Sequence, residues 1–193
     1  YFSNPIKFLY VWEGGLASHG GAIGILIGLY FYSKKINKPY LWILDRIVVP
    51  VAIGGAFIRT GNLMNSEIYG QPTDLPWGFK FVRDYPIGTP IDNIPACHPT
   101  QIYEALFCVA VFVYLLYAYY KQNMAERRPG FMFGIFLIVI FGSRILIEFI
   151  KNHQVAFEDN MVLDMGQWLS IPFFVAGIYF VARSFFKTEN LRN

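Results

Sequence analysis

The chain has 193 residues, of which 55% are hydrophobic, 19% aromatic and 15% charged. An ordinary soluble domain carries about 25% charged residues, and the mean hydropathy here is +0.39, which excludes a soluble enzyme, a disordered chain and a disulfide-stapled domain. The net charge of +3 is too small and too scattered for nucleic-acid binding. Two cysteines, Cys97 and Cys108, build no CxxC or Cys/His zinc spacing. The first residue is Tyr1, not Met, and no signal peptide precedes the first apolar block, so the chain reads as one whose beginning is missing.

A hydrocarbon core about 30 Å thick needs roughly 20 apolar residues at 1.5 Å rise each, and five stretches approach that length. The first, residues 16–32, has His19 as its sole ionisable group, in Ser18-His19-Gly20-Gly21-Ala22-Ile23-Gly24. Gly20, Gly24 and Gly28 are spaced by four, leaving one helix face bare enough for a neighbour to pack closely. An ionisable group inside a span is costly and reads as functional; the alternative is a packing face with an incidental interfacial histidine.

The second stretch, residues 40–58, has Asp45 and Arg46 near its start. It runs into Arg59-Thr60-Gly61-Asn62-Leu63-Met64-Asn65-Ser66-Glu67, a guanidinium, two amides and a carboxylate at the membrane surface. Arginine suits a phosphate because its planar fork donates two bonds at once; the alternative is a solvated helix end with turn-forming Gly and Asn. Residues 60–100 hold six of the eleven prolines, together with Trp77. That is too long for a simple turn and predicts a folded outer arm within a single integral-membrane domain spanning 1–193.

The third stretch, 101–120, is opened by His98-Pro99-Thr100-Gln101-Ile102-Tyr103-Glu104. Pro99 or Thr100 suits a helix start, and capping accounts for Thr100, but not for Glu104, a carboxylate carried one turn deeper. The fourth, 131–150, ends in Gly142-Ser143-Arg144-Ile145-Leu146-Ile147-Glu148-Phe149-Ile150-Lys151. Arg144 and Glu148 are one turn apart on the same face and Lys151 follows three residues later; the alternative here is a structural ion pair between helices. The fifth runs over 167–186. Trp42, Tyr119, Tyr120 and Trp168 sit at block ends, where an interfacial belt is expected. Since backbones in lipid must satisfy their own hydrogen bonds, the fold class is all-α: a polytopic helical membrane protein with five spans and an irregular arm.

Lys34, Lys35 and Lys38, then Lys121, Arg127 and Arg128, then Arg183, Lys187 and Arg192 fall on one side, the cytoplasm. Residues 1–15, 60–100 and 151–166 then face outward, and no transporter-type internal repeat is visible. The four polar constellations all lie at outward helix ends. Together they predict a basic, histidine-bearing chamber facing the outer leaflet, where anionic phospholipid head groups are available. Rival motifs fail. Cys97 and His98 are adjacent, and adjacent side chains diverge. The Lys-x6-Arg-Pro pattern from Lys121 to Pro129 lacks histidine partners and lies on the cytoplasmic side. His153 and Glu158 only echo an acyltransferase pair, and no HExxH or Gly-rich phosphate loop is present.

Taken in order, His19-Gly20-Gly21-Ala22-Ile23-Gly24, residues 59–67, residues 98–104 and residues 144–148 resemble the bacterial prolipoprotein diacylglyceryl transferases. Met165-Gly166-Gln167-Trp168-Leu169-Ser170 is similar as well. Family members typically have seven spans with the C-terminus inside, which five spans match if the first two are absent. Two departures stand out: Ile140 and Phe141 occupy the place where a tyrosine commonly precedes the arginine, and Lys151 stands where arginine is common.

The resemblance implies transfer of diacylglyceryl from phosphatidylglycerol to the lipobox cysteine of a preprolipoprotein. A thioether forms and glycerol phosphate leaves, at the outer side of the bacterial inner membrane, with neither metal nor organic cofactor required. It assigns Arg59 and Arg144 to the phosphate and His19 or His98 to the thiol proton. Asn62 and Glu67 would orient the glycerol head group or Arg59. Gln101, Tyr103, Glu104 and Glu148 would support them, and Gly20, Gly21 and Asn65 would complete the substrate-binding set. Arg59→Ala is expected to abolish transfer and leave the protein folded. The rival reading is a phospholipid- or anion-binding channel or transporter, which predicts flux without covalent change. The absent repeats and one-sided charge count against it. A structural subunit leaves the His and Arg segments unexplained.

Overall fold

A backbone in hydrocarbon has no water to bond, so each apolar block has to satisfy its own amides, and here the blocks do so as helices. The computed structural model describes residues 18–151 and 163–189; the first two residues of the first predicted span, and His153 and Glu158, lie outside them. The chain divides into two compact units, Tyr1–Ile43 and Leu44–Asn193.

In the first unit, α1 (Ser18–Lys35) is closed by a left-handed Asn37 at φ 52°. The Lys38 amide bonds the Ser33 carbonyl at 3.1 Å and the Asn37 amide bonds that of Lys34 at 3.3 Å, which satisfies two terminal carbonyls of the helix. Tyr40, the first residue of α2 (Tyr40–Asn65), donates its hydroxyl to the Leu26 carbonyl at 2.9 Å. Among the described residues nothing lies within 4 Å of a Cβ built at Gly24 or Gly28, so none of them packs closely on that glycine face.

The second unit holds most of α2, then α3 (Thr100–Tyr120), the single turn α4 (Met124–Arg127), α5 (Phe131–Glu148) and α6 (Met165–Glu189). Among the described residues four helices are long and apolar enough to cross a membrane: Tyr40–Asn65, Thr100–Tyr120, Phe131–Glu148 and Met165–Phe186. The first predicted span, α1, is helical but falls short, because His19, four glycines and Lys34-Lys35 dilute its 18 residues. The protein is a multi-pass, all-α membrane protein. Apolar side chains such as Phe57, Leu106, Val113 and Phe186 face outward, as a lipid solvent requires.

Packing is closest between α5 and α6. A Cβ at Gly134 would sit 2.8 Å from the Gly177 carbonyl, and one at Gly177 would sit 2.9 Å from that of Gly134. Small residues let the two backbones meet. Val48 and Ala52 of α2, Val111 and Leu115 of α3, and Phe131 and Met132 of α5 form a core toward one end of the unit. There Asp45, fully buried, accepts the Gly130 amide at 2.6 Å and the Phe133 amide at 2.8 Å, capping α5 from another helix. Beside it Arg46 pairs with Glu126 at 2.5 Å. Removing the cap strands two buried donors, so Asp45→Ala is expected to lose about 3 kcal/mol of stability. Thermal unfolding in detergent measures this, and a loss under about 0.5 kcal/mol would contradict the cap.

At the opposite end α2 continues to Asn65, beyond the apolar window that ends at residue 58. Its 26 residues span about 39 Å, more than a hydrocarbon core of about 30 Å, so the last turns lift Arg59 and Asn62 toward the surface. Residues 66–99 then form an arm. Its β1 (Phe79–Lys80) pairs antiparallel with β2 (Ala96–Cys97). Isolated bridges join Pro72 to Cys97 and Gly70 to Lys151. Phe81 is buried and stacks on Tyr69 at 4.3 Å. The Tyr69 hydroxyl donates to Asp84; burial and that carboxylate hold the phenol well above its usual range.

Candidate functional site

Glu104 lies one turn inside α3, buried, and is approached from two other elements. Arg59 Nε of α2 comes to 2.7 Å from one carboxylate oxygen, without hydrogen-bond alignment, and Lys151 Nζ comes to 3.5 Å from the other. Lys151, also buried, sits 3.6 Å from Glu148 at the end of α5. A Cβ on Gly166 would collide with the Glu148 carboxylate, so glycine at the start of α6 is what admits it. Ion pairs therefore tie α2, α3 and the end of α5 together.

Arg144 stands apart. One turn before Glu148, it makes no ion pair among the described residues, and its buried Nε has no hydrogen-bond partner there. The spacing of Arg144 and Glu148 offered a pair, but Lys151 takes the carboxylate. The described network thus sets two carboxylates, Glu104 and Glu148, against two cations, Arg59 and Lys151, with Arg144 as an additional positive charge.

A second cluster centres on Glu67. Its main-chain carbonyl accepts Gln101 Nε2 at 2.6 Å, its carboxylate accepts Asn62 Nδ2 at 3.1 Å, and its amide donates to the Asn62 carbonyl at 2.9 Å. Thr100 does not cap α3. Its hydroxyl donates to the Ile68 carbonyl at 3.0 Å, because Pro99 holds the cap position and Thr100 turns toward the arm. Between the end of α2 and the start of α3 lies an open cavity of about 140 Å³, lined by Arg59, Gln101 and apolar side chains including Leu63 and Leu106.

His98 belongs to a third group. Its main chain bonds Gly70 and Gln71, its Nδ1 lies 3.4 Å from the Tyr103 hydroxyl, and that hydroxyl accepts Trp77 Nε1 at 2.9 Å. Cys97 is buried, and burial pushes its thiol above the ordinary range, so it is a poor nucleophile despite its neighbour. Asn65 is exposed at the last position of α2. His19, Gly20 and the exposed Gly21 lie in α1, in the first unit, and the side-chain surroundings of His19 fall outside the described residues.

Lys151, Gly166, Gly70 and Trp77 were absent from the sequence-derived site. Lys151 was visible at i+3 from Glu148. Gly70 packs against the Ile150 carbonyl, His98 and Thr100, and Trp77 meets Tyr103 across 26 residues. No local spacing announces either contact.

A family model described as prolipoprotein diacylglyceryl transferase matches residues 1–183. A phosphatidylglycerol–prolipoprotein diacylglyceryl transferase of Porphyromonas gingivalis is 50% identical over 190 residues, covering 95% of this chain and 67% of that protein. Proteins of the same name from Tolumonas auensis and Chloroherpeton thalassium are 44% and 42% identical. The alignments cover 92% and 95% of this chain and 66% of each relative. The chain thus spans about two thirds of the length of the curated relatives it matches.

Proposed function

The chain belongs to the prolipoprotein diacylglyceryl transferase family, and from that premise we propose that it transfers diacylglyceryl from phosphatidylglycerol to the lipobox cysteine of a preprolipoprotein. The observation that carries the site assignment is charge balance within the buried network: Glu104 and Glu148 are matched by Arg59 and Lys151, and Arg144 is left over to meet an anion. The lipid phosphate is that anion. As the thiolate sulfur attacks the glyceryl carbon, the carbon–oxygen bond breaks and its electron pair stays on the departing glycerol phosphate. Arg144 and Arg59 stabilise that growing charge.

A thiol near pKa 8.5 needs a base at neutral pH, and His19 or His98 accepts its proton. Glu104 and Glu148 hold the cations in place, Asn62, Glu67 and Gln101 line the head-group side, and Tyr103 steadies His98. On the resemblance alone, Gly20, Gly21 and Asn65 belong to the substrate-binding set as well. Lysine and arginine bias puts Lys121, Arg127 and Arg128 in the cytoplasm. The charge network and residues 66–99 then face the outer side of the bacterial inner membrane, with the C-terminus cytoplasmic.

The test is release of glycerol phosphate by the intact protein in detergent, supplied with phosphatidylglycerol and a lipobox peptide bearing cysteine or serine. Release that requires the cysteine peptide is expected. Lipid movement without release supports the transport reading instead.

A further inference from the structure

Gln101 is 1% exposed, and its Nε2 donates to the main-chain carbonyl of Glu67. A carbonyl only accepts, so the amide cannot be turned round, and Oε1 must be the atom facing away. The same logic holds for Asn62, whose Nδ2 donates to the Glu67 carboxylate. Both remaining oxygens, Gln101 Oε1 and Asn62 Oδ1, are buried with no hydrogen-bond partner among the described residues. Two buried acceptors fixed by one residue call for donors.

Their position says which donors. Gln101 lines the same cavity as Arg59, and Asn62 follows Arg59 by three residues on α2. A ligand that satisfies the set presents a phosphate to the guanidinium and O–H groups to the two amides. An ammonium head group also donates, but it would bring a positive charge beside Arg59 and Lys151. A trimethylammonium head group has no donor at all.

We infer that Asn62 and Gln101 are specificity determinants that read the hydroxyl groups of an uncharged polyol head group, through Oδ1 and Oε1. The inference rests on the transferase reading and deepens it.

The test compares two lipids of equal phosphate charge, phosphatidylglycerol and phosphatidylpropanol, which lacks hydroxyls, as donors for peptide modification by the intact protein. A kcat/KM at least about tenfold higher for phosphatidylglycerol is expected, since a site built around buried acceptors is penalised when they stay unpaired. In Gln101→Met and Asn62→Leu that ratio falls toward one. Equal use of both lipids by the unmodified protein overturns the inference without any variant, and so does an unchanged ratio in both variants. Turnover of neither lipid by the unmodified protein, beside an active relative, contradicts the transferase reading, and the inference falls with it.

Discussion

Replacing Glu104 with leucine is expected to destabilise the protein by about 3–5 kcal/mol and to abolish transfer. The carboxylate is buried and faces Arg59 at 2.7 Å and Lys151 at 3.5 Å. Taking away one partner of a buried ionic cluster leaves the others uncompensated, and that penalty exceeds what the pair itself contributes. Glu148 still reaches Lys151, at 3.6 Å, so Arg59 is the group left exposed to the full penalty. A double replacement, Glu104→Leu with Arg59→Met, is therefore expected to regain part of the lost stability while remaining inactive. Thermal unfolding in detergent reads both. A single variant within about 0.5 kcal/mol of the parent would show that the network does not hold α2, α3 and α5 together.

Arg144→Ala has the opposite profile. No described carboxylate depends on Arg144, so stability is expected to change by less than about 1 kcal/mol. Transfer is expected to fall by about 100-fold or more, the scale of losing one fixed donor from developing charge. Arg144→Lys recovers only part, because an ammonium lacks the planar fork. Arg59→Ala shares the catalytic loss but adds a stability cost through Glu104, softened by Lys151. The expectation that this variant stays folded therefore holds less cleanly for Arg59 than for Arg144. Measuring unfolding and peptide modification side by side separates the two arginines. Equal destabilisation by both would contradict the division of roles.

The helices were legible because hydrocarbon leaves a backbone one economical solution, and long apolar windows announce it. Their ends were less so. Charge ends an apolar window at residue 58 but does not end a helix, and α2 runs about two turns further, through Arg59 and Asn62. The residue types of the site were also legible, since a carboxylate or guanidinium at a membrane helix end demands an explanation. Which cation takes which carboxylate was not. Local spacing set both Arg144 and Lys151 within a turn of Glu148 without choosing between them, while the fold delivers Lys151 to Glu148 and Arg59 to Glu104. Thr100 likewise had the chemistry of a cap, but its hydroxyl donates to the arm's Ile68 carbonyl instead. Asp45 caps a helix 85 residues away, a relation no window along the chain contains.

The central claim is that a cysteine thiol, held beside a cation-lined lipid site, displaces glycerol phosphate. Its most direct test is the intact mass of a lipobox peptide incubated with the purified protein and either phosphatidylglycerol or phosphatidylethanolamine. A gain of one diacylglyceryl group, on cysteine and only with phosphatidylglycerol, is the predicted result. An unchanged peptide beside an active relative would contradict the claim.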